Sequence, residues 1–163
     1  MYLLSHHPEI QQKLREEIDA FIEELSVTGE TINLMNLKKL KYLDCCIKES
    51  LRLYPSGPFI GRRGRQAVKI DEKITLPADI NVIIFIHYMH TQEKYFKEAT
   101  RFYPDRFLLE KDENGNPWAT NAAMMPFSSG LRVCIGKEYG VIQQKLFLIN
   151  LLRRYRIKAS DNF

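Results

Sequence analysis

The sequence predicts a mainly α chain with a small antiparallel β region. Three observations carry that expectation. Apolar residues recur at helical spacing in three separate stretches. Four short β-rich runs lie together in the middle, divided by turn-forming residues. The composition, 45% hydrophobic and 27% charged over 163 residues, is that of a folded chain and excludes a disordered or collagen-like one. The length suits a single domain with its own core.

Ser5-His6-His7-Pro8-Glu9 reads as a helix start, because proline suits the first helical position and an acidic residue favours the positive helix end. Ile10, Leu14, Ile18, Phe21, Ile22 and Leu25 then form one apolar stripe, Glu16, Glu17, Glu23 and Glu24 cover the other face, and Gly29 ends the segment. Asn33 to Asn36 is a turn and cap region. A second stripe, Leu37, Leu40, Leu43, Ile47 and Leu51, predicts another helix, which Pro55 stops. Ser56-Gly57-Pro58 breaks the chain.

Phe59-Ile60, Val68–Ile70, Ile74–Leu76 and Ile80–Ile86 follow as strands, with turns at Asp71-Glu72 and Pro77-Ala78-Asp79. Glu93 to Glu98 reads as a short helix. Phe102 to Trp118 reads as irregular, with a surface tip at Asp112 to Asn116. Gly136 to Tyr155 returns to helix on a stripe of Tyr139, Ile142, Leu146, Ile149 and Leu152, with arginines at its carboxyl end. Arg156 to Ala159 reads as a closing strand.

The net charge of +4 is too small to predict a nucleic-acid partner. Three cysteines, Cys45, Cys46 and Cys134, do not make a disulfide framework. Val82-Ile83-Ile84-Phe85-Ile86 is far too short to span a bilayer. Met1-Tyr2-Leu3-Leu4 runs straight into a helical pattern, which predicts that the chain begins inside a helix of a longer protein.

The segment Pro126 to Gly136 carries the chemistry. It places Cys134 before a helix, with Gly130 and Gly136 on either side. Glycine allows positive φ and close main-chain approach. The following helix offers unpaired N–H groups and its positive end, and both favour thiolate over thiol. Arg132 adds charge and can bind a carboxylate with two hydrogen bonds, and Phe127 supplies an apolar wall. These parts suit a thiolate bound to a metal cofactor that carries carboxylates. An inert core cysteine is the plain alternative. A nucleophilic cysteine would need His87 or His90 as its base. A zinc site is weaker still, since there is no Cys-x-x-Cys pair.

The run Phe127-x-x-Gly130-x-Arg132-x-Cys134-x-Gly136 resembles the haem-binding signature of the cytochrome P450 superfamily. Lys48-Glu49-Ser50-Leu51-Arg52 contains a Glu-x-x-Arg that looks like that family's helix motif. Phe102-Tyr103-Pro104-Asp105-Arg106-Phe107 resembles its later Pro-Glu-Arg-Phe element, with Asp105 in place of Glu. His6-His7-Pro8-Glu9, Leu40-Lys41-Tyr42-Leu43 and Ile47 to Arg62 are similar to the fourth, microsomal family, whose members hydroxylate fatty acids and related lipids. Leu131, Val133, Thr91-Gln92-Glu93 and the Trp118–Met125 stretch depart from that pattern without removing a fixed position.

The resemblance implies a role for each matching position. Cys134 would be the axial thiolate ligand of haem iron, which favours O–O cleavage. Phe127, Gly130, Arg132 and Gly136 would cradle the haem, Gly136 offering N–H groups to the sulfur and Arg132 pairing with a propionate. Arg62 would be a second propionate partner; otherwise it is a solvated arginine beside Arg63 and Arg65. Glu49 and Arg52, at i and i+3, would share a helix face and join Arg106 in a buried structural network; without the other motifs they read as a surface pair. Ser56, Gly57, Pro58, Phe59 and Ile60 would contact substrate.

The implied parent is a monooxygenase in the endoplasmic reticulum membrane, on its cytosolic face. It would insert one oxygen atom from O2 into a lipophilic substrate, with NADPH-derived electrons relayed by a reductase. Residues 1–163 would be the carboxyl-terminal, proximal haem side of the domain. The distal oxygen-activating helix and the membrane anchor would precede Met1, leaving no catalytic residue within the chain itself. The alternative is a catalytically inactive partial product that keeps the haem-binding motif.

Overall fold

The computed structural model describes residues 1–109, 111, 115, 119 and 121–160. The expected surface tip at Asp112 to Asn116 lies outside the described residues except for Gly115, and so does Trp118.

Two helices open the chain, α1 (Tyr2–His6) and α2 (Pro8–Thr28). Pro8 occupies the first turn of α2, and His7 before it is held off the helical region at φ −131°, so the two helices do not fuse. Ile10, Leu14, Ile18, Phe21 and Leu25 are buried along one face. Gly29 closes α2 in the left-handed conformation, φ 69°, and donates its N–H to the Leu25 carbonyl. Asn33 and Asn36 then cap each other. The Asn33 side-chain oxygen accepts the N–H groups of Met35 and Asn36 at 2.9 and 3.0 Å, and Asn36 Oδ1 accepts that of Asn33 at 2.8 Å.

A 3-10 turn (Asn36–Lys39) leads into α3 (Lys41–Leu53). No side chain next to its amino end caps α3. Glu17 of α2 does so from across the interface: its two carboxylate oxygens accept the N–H groups of Tyr42 and Leu43 at 2.7 and 2.8 Å. Glu17 is thus a structural capping residue rather than part of a solvated acidic face.

The β region forms two separate antiparallel ribbons. Strand β1 (Phe59–Gly64) pairs with β4 (Ile80–Phe85), Phe59 opposite Phe85 and Arg62 opposite Val82. The short strands β2 (Val68–Lys69) and β3 (Thr75–Leu76) pair with each other around Asp71, whose Oδ1 accepts the N–H groups of Lys73 and Ile74. Ile86 leaves the strand expected for it and begins helix α4 (Ile86–His90).

Three local expectations are corrected. Residues 93–98 form turns, not a helix: Glu98 has φ 50°, and Phe96 makes an isolated antiparallel bridge with Ala119. Residues 156–159 form no strand. The N–H and carbonyl of Ile157 bond to the side-chain amide of Gln11, at 2.9 Å each, and this buried glutamine takes the place of a neighbouring strand. Helix α5 (Lys137–Arg154) buries Ile149 and Leu152 fully, but Tyr139, at the start of the expected stripe, is 67% exposed.

Helices α2, α3 and α5 pack their stripes into one apolar core, joined by Leu3, Leu4 and Phe102. Lys145 of α5 is buried in that interface. It reaches the Leu37 carbonyl at 2.9 Å and Asp44 at 2.8 Å, so its charge is paired and hydrogen-bonded, as a buried ammonium must be.

Candidate functional site

The site is built on the loop between the end of the irregular region and α5. The Ser128 N–H donates to the Met125 carbonyl at 3.0 Å and Val133 N–H to that of Gly130 at 3.1 Å, with a 3-10 turn at Gly130–Arg132. Ser128 and Gly130 take positive φ, 65° and 72°; the second is free of strain only because it is glycine. The Cys134 N–H donates to the Phe127 carbonyl at 2.9 Å, which closes the loop on itself. The carbonyl of Cys134 accepts from Lys137 at 3.3 Å, setting the entry into α5. A methyl at Gly136 would lie 3.9 Å from the Cys134 sulfur, so glycine leaves the thiol's flank open.

Cys134 is the one exposed cysteine; Cys45 and Cys46 are buried in α3. Burial pushes the Cys45 thiol up to about 11 and the Cys46 thiol higher, which leaves both inert. The loop presents its apolar side chains outward: Leu131 and Ile135 are fully exposed and Val133 half so. Arg132 is exposed beside them and Phe127 is half-buried behind. Arg62 reaches the loop from β1, donating from Nη2 to Ser128 Oγ at 2.8 Å. Phe127, Gly130, Arg132, Cys134, Gly136 and Arg62 therefore belong to one local assembly.

A buried ionic cluster is joined to this loop through His90, whose ring accepts the Met125 N–H. Glu49 accepts two hydrogen bonds from Arg52, both 2.8 Å, and one from Arg106 Nε at 2.9 Å; all three side chains are shielded from water. Glu49 also accepts the Tyr103 N–H at 3.0 Å. Arg52 spends its other donors on the carbonyls of His90, Ala99 and Arg101. Arg106 spends its own on those of Lys97, Glu98 and Arg101. The cluster thus organises the irregular chain between α4 and the 3-10 turn at Pro104–Phe107.

The segment Ser56–Ile60 leads into the strand that carries Arg62. It is largely exposed and enters β1, where Phe59 packs near Phe85 at 6.2 Å between ring centroids and the Pro58 carbonyl accepts the His87 N–H at 3.1 Å. His90, weighed as a base for the cysteine, is fully buried with both ring nitrogens bonded elsewhere. Among the described residues no group of three or more His, Cys, Asp or Glu side chains is placed to hold a metal ion. Ser128 and Glu17 escaped the sequence reading because no motif marks a side chain whose partner lies on a distant element.

The class so defined is a mainly helical domain that presents one exposed cysteine on a braced, glycine-flanked loop. Over residues 1–162 the chain matches the family model for cytochrome P450, and it belongs to that family. It is 37% identical to cytochrome P450 4c3 of Drosophila melanogaster and 35% identical to cytochrome P450 4V2 of Mus musculus, over 99% of this chain in each case. It is 34% identical to the probable cytochrome P450 4d20 of Drosophila melanogaster over 96%. The chain spans about 29% of the length of the curated relatives it matches.

The family implies a haem cofactor, and the residues present fit one. Cys134 offers a soft sulfur donor at an accessible position. Leu131, Val133 and Ile135 are exposed apolar side chains that would suit a planar apolar group. Arg62, bonded to Ser128, and the exposed Arg132 carry guanidinium groups of the kind that would pair with its carboxylates.

Proposed function

We propose that this chain forms the haem-thiolate part of a monooxygenase, in which Cys134 would hold the haem iron through its thiolate. One observation carries the reading: the exposed thiol sits on a loop whose backbone is closed by the Cys134–Phe127 hydrogen bond, with an apolar rim around it. When bound, the haem supplies reduction of O2 and insertion of one oxygen atom into a lipophilic substrate, driven by NADPH-derived electrons from a reductase.

The chain's own residues do the rest. Cys134 would hold the metal through its sulfur, a ligand that would favour O–O cleavage. Gly136 keeps a side chain away from the sulfur, and the loop's main chain tunes it. Arg62 and Arg132 pair with the carboxylates, Arg62 while still tethered to Ser128. Leu131 and Ile135 exclude water from the thiolate face. Glu49, Arg52 and Arg106 fix the platform under the loop, and Ser56, Gly57, Pro58, Phe59 and Ile60 line the approach of substrate. Residues 1–163 then make up the proximal part of the domain. The parent enzyme is read as one of the endoplasmic reticulum membrane, on its cytosolic face. No helix among the described residues is long and apolar enough to cross a membrane.

A second reading is a catalytically inactive product that keeps the loop. The exposed Ile83, Phe85, Leu131 and Ile135 favour it. The test is the reduced, carbon monoxide-bound spectrum of the chain supplied with haem. A red-shifted Soret band that disappears in Cys134→Ser is the expected result. A band at the position of a non-thiolate haem would count against the assignment. Turnover of a fatty acid with reductase by this chain would sink the inactive reading.

A further inference from the structure

His90 stands at the carboxyl end of α4, fully buried, between the ionic cluster and the start of the cysteine loop. Its Nδ1 lies 3.1 Å from the Arg52 carbonyl, and its Nε2 lies 3.1 Å from the Met125 main-chain nitrogen. The partners settle the tautomer. A carbonyl can only accept, so Nδ1 carries the proton. A peptide N–H can only donate, so Nε2 offers its lone pair. Phe96 stands edge-on to the ring at 6.0 Å and closes its apolar side.

Met125 is the first residue of the loop's stalk. Its carbonyl accepts the Ser128 N–H, and Phe127, between them, accepts the Cys134 N–H. Two pins therefore hold the stalk: His90 at Met125 and Arg62 at Ser128. The first comes from the cluster itself, because Arg52 donates to the His90 carbonyl at 2.7 Å while accepting from the His90 ring.

We propose that His90 is a positioning residue that, as the neutral Nδ1–H tautomer, ties the Glu49–Arg52–Arg106 cluster to Met125 and so sets where Cys134 sits. The proposal rests on Cys134 being the haem ligand. It gives the buried ionic cluster a route to the metal side that does not depend on contact with the cofactor. Losing the Met125 bond frees the stalk, and the thiolate then binds in a broader set of positions.

The experiment uses the 163-residue chain labelled with 15N-histidine, both haem-free and as the diamagnetic ferrous carbon monoxide complex. His90 is expected as the Nδ1–H tautomer with a non-protonated Nε2 in both. An Nε2–H tautomer, or a ring that titrates like a free histidine, overturns the proposal. His90→Gln can still offer an acceptor to Met125, whereas His90→Leu cannot. In His90→Leu, amide exchange at Met125 should quicken and the share of red-shifted Soret band should fall, each by about fivefold, the worth of roughly one net hydrogen bond. His90→Gln should recover most of both. Equal losses in the two variants would make His90 a mere filler of the core and overturn the proposal. Should His90→Leu fail to fold, the tautomer in the unsubstituted chain decides. If the unsubstituted chain shows no red-shifted band, the ligand reading fails by itself, and the tautomer and Met125 exchange of the haem-free chain still judge the His90 link.

Discussion

Arg52 and His90 exchange side chain for backbone: the Arg52 guanidinium donates to the His90 carbonyl at 2.7 Å, and the His90 ring bonds the Arg52 carbonyl at 3.1 Å. This reciprocal pair locks the end of α3 to the end of α4. Around it, the buried charges of Glu49, Arg52 and Arg106 are satisfied by one another and by main-chain groups. Such an arrangement is intolerant of single deletions.

Glu49→Ala should therefore be severe. It strands two buried guanidinium groups, and a loss of roughly 3–5 kcal/mol is expected by urea unfolding. Glu49→Gln keeps the shape but removes the charge, and should fall between the wild-type chain and Glu49→Ala. A loss of less than about 1 kcal/mol in Glu49→Ala would show that water reaches the cluster.

Glu17→Ala should cost about 0.5–2 kcal/mol, the value of a lost amino-terminal cap, although Glu17 belongs to a different helix from the one it caps. Urea unfolding measures it, and amide exchange should quicken at Tyr42 and Leu43 before it does elsewhere in α3.

Stability should fall in mild acid because of His90. Burial chiefly holds its pKa below the ordinary 6.5, with the Arg52 and His87 charges adding to that; the carbonyls of Arg52 and Ala123 oppose it. The unfolded chain then binds more protons than the native one once pH drops below about 6.5. The contribution is complete above that value and is lost as pH falls through the lower native one. Unfolding free energy measured across pH 7 to 5 should decline less in His90→Gln than in the unsubstituted chain.

Thiol labelling should be selective. In the haem-free native chain Cys134 is expected to react first, with Cys45 and Cys46 protected until unfolding. Peptide mass mapping after a short exposure to an alkylating reagent reads this directly, and early labelling in α3 would contradict the packing.

Arg62→Ala and Ser128→Ala should each loosen the loop by about 1 kcal/mol, since the bond between them is only partly buried. Because they share that bond, the double variant should cost little more than either single one. Haem retention on a desalting column is the second measurement, and Arg62→Ala should retain less than Ser128→Ala if Arg62 also pairs with a carboxylate.

Helix positions were legible from residue spacing: Ile10 to Leu25 in α2 and Leu43 to Ile47 in α3 are buried as their periodicity requires. Pro8, Gly29 and Pro55 marked boundaries because each acts on its own backbone or its neighbour's. Where a segment's state depends on a distant partner, the reading failed. Ile157 is held by Gln11, and Phe96 by Ala119, and neither partner is local.

The same division runs through the site. By itself the sequence determined the chain's family, the glycines that free the cysteine loop, and the i, i+3 geometry of Glu49 and Arg52, since these are properties of short runs of covalent neighbours. Only the tertiary structure decided that Glu17 caps α3, that Arg62 grips Ser128, and that His90 joins Arg52 to Met125. Those bonds link residues far apart along the chain, and they exist only once packing has brought α2, β1 and α4 against their partners and removed the water that would otherwise compete for each polar group.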